Sequence, residues 1–330
     1  MESINLLVTT ALDEASLKQI TIVSSRIKLT NVSELVQAEQ KGDAAAKKQL
    51  DALLAVTEII YGFRLPENVI ARAPKLKWFQ TMSAGVDRFL DDKFRRSSVI
   101  MTSVSGIHTV PIGELVLELM LMLAKQASLA FQQKQQQQWK PFLPMVLRSK
   151  TVGIVGLGHI GREVARLAKA FGMRVVATRR SARQSQRARY VDRLFAPDQL
   201  LQLLSESDFV VLTLPLTKET HKIIGEAELR SMKPTAYLIN VARGQVVDEE
   251  ALARVLEEHR IAGAGLDVFT REPLPAGSRL WKLPNVIISP HIAGYMENYS
   301  EQATAVFCEN LRRYLGGKRL INVVGKERGY

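Results

Sequence analysis

One turn constrains this chain more than any other feature: Gly156-Leu157-Gly158-His159-Ile160-Gly161. Upstream, Thr151-Val152-Gly153-Ile154-Val155 is a short apolar run with β-branched residues, as a buried strand requires. Downstream, Arg162 to Phe171 is helix-forming, with apolar residues at Val164, Leu167, Ala168 and Phe171. A G-x-G-x-x-G in that strand–turn–helix context predicts a dinucleotide site, where the same pattern alone would predict only a glycine turn. The first glycine permits the tight turn, the second lets backbone approach a pyrophosphate, and the third lets helix and strand pack closely. The N–H groups at the positive end of the helix hold the anion. Gly156, Gly158, His159, Ile160 and Gly161 are therefore candidate cofactor-binding residues.

The chain has 330 residues, long for one core and suited to two domains. Cys308 is the only cysteine, so no intrachain disulfide forms; a reducing cytoplasm is expected, with Cys308 a small core residue. The first residues lack a basic segment followed by a long apolar run, so no signal peptide is expected. The longest apolar stretch, around Leu115–Ala124, is too short to span a bilayer and carries Glu118. The formal charge is +12, and arginine is dense from Arg179 to Arg193, including Arg180, Arg183, Arg187 and Arg189. Without aromatic interleaving or a nucleic-acid motif, this reads as a solvated basic face and argues against nucleic acid as a partner. No metal site is expected.

Strands are expected at Leu6–Thr9, Ile20–Val23, Ile59–Tyr61, Leu76–Phe79 and Val99–Met101. Helical segments are expected within 31–54 and at Pro66–Ala73. His108–Lys125 and Ala127–Trp139 read as helices, the second carrying six Gln between 132 and 138. After Lys150, strands alternate with helices to about Ser289, and a last helix runs from about Glu297 to Leu315. Alternation of this kind indicates α/β architecture with parallel, doubly wound sheets.

Three segments lie at or near strand ends, where open α/β sheets bind ligands. They are Asn240-Val241-Ala242-Arg243-Gly244, Gly265–Phe269 followed by Glu272-Pro273-Leu274, and Ser289-Pro290-His291-Ile292-Ala293-Gly294. Together they supply an Arg, a carboxylate and a His from separate loops. An Arg fork suits a substrate carboxylate. A His can move a proton as hydride moves, and a carboxylate beside it orients the ring and favours its charged form. Alone, Arg243 reads equally as a surface ion pair, Glu272 as a loop charge and His291 as a satisfied buried histidine. Their joint placement after a dinucleotide turn favours chemistry.

The sequence resembles the D-isomer-specific 2-hydroxyacid dehydrogenase family, which includes glyoxylate/hydroxypyruvate reductases. The likeness runs from Ser83-Ala84-Gly85-Val86-Asp87 through the glycine turn, Leu214-Pro215-Leu216-Thr217-Lys218-Glu219-Thr220, Val241–Gly244, Gly265–Leu274 and Pro290-His291 to Asn322-Val323-Val324. It implies two Rossmann-like domains, the first (1–102 and 293–330) binding substrate, interrupted, and completed by the C-terminal tail. The second (103–292) would bind the dinucleotide. It implies that Arg243 binds the substrate carboxylate, His291 is the acid/base and Glu272 pairs with it. Ser83 and the backbone N–H groups of Ala84 and Gly85 would bind substrate. Asp267 would contact the nicotinamide amide, and Thr109 would lie near the ring. Pro215, Thr220 and Val241 would also contact the cofactor. A homodimer built on the helices from Pro111 to Trp139 is implied; those apolar residues could equally fill core.

One position departs from the common pattern. After the strand Val175–Ala177, an NAD enzyme usually offers an acid to the ribose hydroxyl. Here stand Thr178-Arg179-Arg180, and no Asp or Glu occurs between Glu163 and Asp192. Arg179 and Arg180 welcome a 2′-phosphate, so NADP(H) is expected in preference to NAD(H). The combined reading is NADPH-dependent reduction of small 2-keto acids, with glyoxylate and hydroxypyruvate ahead of a phosphorylated acid because no basic cluster is evident near Ser83–Val86. The rival reading is a dinucleotide-sensing, corepressor-like protein on the same scaffold.

Overall fold

The computed structural model describes residues 3–182 and 187–327, so Arg183 lies outside the described residues. The chain divides into two compact units: Met1–Ile107 with Met296–Tyr330 (unit 1), and His108–Tyr295 (unit 2).

Unit 1 begins with β1 (Ile4–Val8), α1 (Glu14–Thr21), β2 (Ile27–Asn31), α2 (Ser33–Gln40), α3 (Ala44–Leu54) and β3 (Ile59–Gly62). It continues with α4 (Val69–Arg72), β4 (Trp78–Thr81), α5 (Asp92–Arg96) and β5 (Ile100–Thr102). The sheet order is β2-β1-β3-β4-β5, all parallel. Helices cover such a sheet on both faces, so its inner strands are mostly apolar. Ile59, Ile60, Tyr61, Trp78 and Phe79 are all fully buried.

The expected strand at Ile20–Val23 is instead the end of α1 and the turn after it. Its β-branched residues favour a strand locally, but Asp13 accepts a hydrogen bond from the Ser16 N–H at 2.7 Å and fixes the helix start upstream. Ile20 is buried in the core as a helical residue. The strand falls later, as β2.

Unit 2 opens with α6 (Thr109–Ala124) and α7 (Ala127–Gln135), so the helix expected to reach Trp139 stops short of it. Then come β6 (Thr151–Val155), α8 (His159–Ala170), β7 (Arg174–Thr178), β8 (Arg193–Phe195), α9 (Leu200–Glu206) and β9 (Phe209–Leu212). α10 (Glu226–Ser231), β10 (Tyr237–Asn240), α11 (Glu249–Glu257), β11 (Gly263–Leu266) and β12 (Val286–Ile288) complete it. The order β12-β11-β10-β9-β6-β7-β8 is wholly parallel. It reverses direction at β6, which places a ligand crevice at that strand's C-terminal end. Within this unit α6 buries Ile112, Val116, Leu119, Met120 and Leu123, so most of its apolar surface fills core. Phe131, Trp139, Leu143 and Val146 stay exposed in the chain as it stands.

The chain then returns to unit 1 as α12 (Tyr299–Leu315). Phe307 stacks on Tyr61 at 4.1 Å between ring centres and on Trp78 at 5.1 Å. Buried Asn310 ties the tail, accepting from the Ile321 N–H at 2.8 Å and donating to its carbonyl at 3.1 Å. Val323 bridges antiparallel to Thr102 at the β5 edge. The first domain is thus interrupted and completed by the C-terminal tail, and both sheets are of the parallel, doubly wound kind.

Candidate active site

The glycine turn leaves β6 at its C-terminal end. Gly156 takes φ +102°, and a Cβ there would sit 3.0 Å from Leu214. Its N–H and that of Leu157 donate to the Thr178 carbonyl at the end of β7. A Cβ on Gly161 would lie 2.4 Å from the Gly156 carbonyl oxygen, so helix and turn close up as the sequence pattern requires. Gly158 is different: it precedes α8 in an extended conformation, and a Cβ would meet nothing within 4 Å. Two glycines serve packing and the third borders open space at a helix N-terminus, the arrangement a pyrophosphate needs.

His159 is the first residue of α8, with Ile160 half-buried beside it. Arg179 is half-buried and Arg180 exposed, both directly after β7. In the turn after β9, the Thr220 hydroxyl donates to the Pro215 carbonyl at 2.7 Å. The same turn carries Glu219, whose carboxyl is held below its usual range first by the Thr217 hydroxyl and, more weakly, by Arg180. Val241 is buried, and half-buried Thr109 opens α6.

Arg243 lies on the loop after β10, half-buried, with Nη1 donating to the Ala242 carbonyl at 2.7 Å. The Asn240 side chain pins this loop, donating to the Arg243 carbonyl at 3.0 Å and accepting from the Ala242 N–H at 3.0 Å. Gly244 lies so close to Phe269 that a Cβ would stand 1.9 Å from its carbonyl carbon. That contact joins the loops after β10 and β11.

Glu272 uses both carboxylate oxygens. Oε1 accepts from the Phe269 N–H at 2.9 Å, and Oε2 lies 2.6 Å from Nδ1 of His291. The first bond fixes the carboxylate, and the second fixes the ring and leaves Nε2 as its outward nitrogen. The sequence-predicted pair is therefore assembled within unit 2. His291 itself takes φ +55°, uncommon for a residue with a side chain.

Three features escaped the sequence reading. Asp267 is fully buried, and its bonds run to the His291 loop: Oδ1 accepts from the Ser289 hydroxyl at 2.6 Å and the Ile292 N–H at 2.9 Å, and Oδ2 accepts from the Ala293 N–H at 3.1 Å. His108 is buried with its ring against Gly294, where a Cβ would come within 2.6 Å of Cδ2. Burial first, then the charge of Arg243, pushes the His108 imidazole down to about 4. Finally, a cavity of about 320 Å³ in unit 1 is lined by Arg64, Arg88 and Lys93, with Glu67 and Asp91. None of Ser83–Val86 lines this cavity, so it does not bear on the expectation that no basic phosphate-binding cluster lies near them. Ser83, Ala84 and Gly85 are half-buried on that loop, and the Ser83 N–H donates to the Thr81 hydroxyl at 3.0 Å.

No group of three or more His, Cys, Asp or Glu is placed to hold a metal ion among the described residues. No helix among them is long and apolar enough to cross a membrane.

Comparison with known proteins gives the family. Residues 117–293 match the family described as D-isomer specific 2-hydroxyacid dehydrogenase, NAD binding domain. A glyoxylate reductase from Thermococcus litoralis is 36% identical over 294 residues, covering 85% of each chain. A glyoxylate/hydroxypyruvate reductase B from Pectobacterium carotovorum is 38% identical over 286 residues, covering 83% of this chain and 87% of that one. Among solved structures, a D-isomer specific 2-hydroxyacid dehydrogenase family protein from Aeromonas salmonicida superposes with a TM-score of 0.85 at 30% identity, covering 98% of this chain and all of that one. A relative from Xanthobacter autotrophicus, solved with NADPH and MES, gives 0.84 at 28% identity, covering 99% and 100%. The chain belongs to the D-isomer specific 2-hydroxyacid dehydrogenase family and is an NAD(P)-dependent oxidoreductase.

Proposed function

We propose that this enzyme reduces small 2-keto acids, glyoxylate and hydroxypyruvate foremost, to D-2-hydroxy acids, using NADPH in preference to NADH. The observation that carries the reading is the 2.6 Å pair of His291 Nδ1 and Glu272 Oε2 on a loop neighbouring Arg243. When bound, the reduced nicotinamide supplies the hydride. Protonated His291 gives its Nε2 proton to the developing alkoxide, and Glu272 stabilises the imidazolium. Arg243 holds the substrate carboxylate through its planar fork and polarises the carbonyl. Ser83, Ala84 and Gly85 keep the substrate-binding role that the resemblance gives them. Gly156, Gly158, His159, Ile160 and Gly161 hold the pyrophosphate, with Thr109, Pro215, Thr220, Val241 and Asp267 as further contacts. Arg179 and Arg180 take the 2′-phosphate. We also propose a cytoplasmic homodimer that covers exposed Phe131 and Trp139.

Steady-state kinetics with a panel of 2-keto acids tests this, run with NADPH and NADH on the wild type and on His291→Ala, Arg243→Lys and Arg179→Asp. The panel includes a phosphorylated hydroxypyruvate as the test of the expectation that unphosphorylated acids are preferred. Loss of the acid lowers kcat by about 10²–10⁴-fold. One charge-assisted bond to the 2′-phosphate gives roughly a tenfold to hundredfold preference for NADPH, which Arg179→Asp abolishes. Near wild-type kcat/KM for His291→Ala would remove the assignment. Coenzyme-driven assembly without turnover would favour the corepressor-like reading.

A further inference from the structure

We infer that Asp267 is the positioning residue for the acid/base histidine: its carboxylate is the post around which the His291 turn is wound. The inference rests on the functional reading above for what His291 does, but the turn itself is a matter of geometry. Asp267 is the first residue after β11, and Ser289 the first after β12. These strands are parallel neighbours, with Leu266 in register with Ile288. The Asp267 N–H donates to the Asn240 carbonyl, and the Ser289 N–H to the Leu266 carbonyl, so both residues are fixed by the sheet.

From that position one buried carboxylate gathers three donors, one from Ser289 before the histidine and two from Ile292 and Ala293 after it. Pro290 has no N–H to place. His291, at the apex, is held at positive φ between these anchors. A carboxylate accepts on both oxygens, which an amide does not. In Asp267→Asn the Oδ1 atom still accepts from Ser289 and Ile292, but the new –NH₂ faces the Ala293 N–H, donor against donor. The turn relaxes there, and His291 leaves the 2.6 Å contact with Glu272. Asp267 thus acts through His291, whatever else it touches when coenzyme is present.

The test compares the full-length wild type with Asp267→Asn and Ser289→Ala in three measurements. The first is amide hydrogen exchange at Ile292 and Ala293 in the free protein, resolved by fragmentation mass spectrometry. Exchange there accelerates in Asp267→Asn, while the β6–β10 strands stay protected. The second is turnover. Asp267→Asn loses about 10²-fold in kcat, the scale of a roughly 1 Å misplacement, with KM for the 2-keto acid little changed because Arg243 is untouched, and Ser289→Ala loses about tenfold. The third repeats turnover with the 3-acetylpyridine analogue of NADPH, which lacks the carboxamide –NH₂. The loss in Asp267→Asn persists at the same size with the analogue, because the turn and not the amide is at fault.

Unchanged exchange at Ile292 and Ala293, or a kcat loss that vanishes with the analogue, overturns the inference. If Asp267→Asn fails to fold, Ser289→Ala decides by the same readouts. If the wild type turns over no 2-keto acid, the functional reading fails, and the exchange experiment still decides whether this carboxylate holds the turn.

Discussion

His108 shows what burial does to a single group. Its imidazole is pushed down to about 4 from an ordinary 6.5, first by burial and then by Arg243. Both forms of the chain are neutral here above the ordinary value, so its titration does not affect stability there. As pH falls below about 6.5, the unfolded chain binds a proton that the folded one refuses, and stability drops until about pH 4. A shift of this size corresponds to about 3 kcal/mol. His108→Gln removes the group, so its urea midpoint should fall less than the wild type's between about pH 7 and pH 4.5. Equal falls would show that other groups carry the acid sensitivity. His291, Glu272 and Arg243 were legible in the sequence because each follows a strand in a segment of recognisable chemistry. The bonds of Asp267 were not legible. They depend on β11 lying beside β12 and on the φ of His291, neither of which composition or spacing encodes.

At the scale of the element, the β6–turn–α8 unit separates glycines that pack from the glycine that makes room. Gly161→Ala drives a Cβ against the Gly156 carbonyl and should lower stability by a few kcal/mol, on the order of other overpacking changes. Gly158→Ala meets nothing and should leave Tm within a degree or two, yet it places a methyl group where the pyrophosphate must approach. Coenzyme affinity measured by fluorescence titration should fall at least tenfold in Gly158→Ala. Retained affinity would put the pyrophosphate elsewhere. The inner strands β3, β4, β6, β9 and β10 are rich in apolar residues because both faces are covered, with Gln80, Thr81, Thr151 and Asn240 as buried polar exceptions. The edge strands β2 and β8 are partly exposed and carry Lys28, Thr30 and Arg193, so they give neither an apolar run nor a clean alternation. At Ile20–Val23 the reverse occurred, as a β-branched cluster served a helix because the cap at Asp13 had already set the geometry.

On the scale of the whole molecule, unit 2 is one continuous stretch and unit 1 is two separated pieces. The second piece is not an appendage. Phe307 covers Tyr61 and Trp78, and Asn310, Leu320 and Val324 are buried with the tail. A chain ending at Tyr295 should keep unit 2 and lose unit 1. Limited proteolysis should then leave a resistant fragment beginning near His108, identified by mass, while residues 1–107 are digested. Protection of 1–107 in that truncated chain would show that the first sheet stands without α12.

The interruption also dictates an order of events on the ribosome. At ordinary elongation rates, unit 2 takes roughly ten to forty seconds to be made, and for all of that time the face awaiting Phe307 has no cover. The part synthesised first must be completed last. The nascent chain therefore carries an open aromatic surface and a bare β5 edge out of the exit tunnel until α12 and the bridging residue Val323 follow.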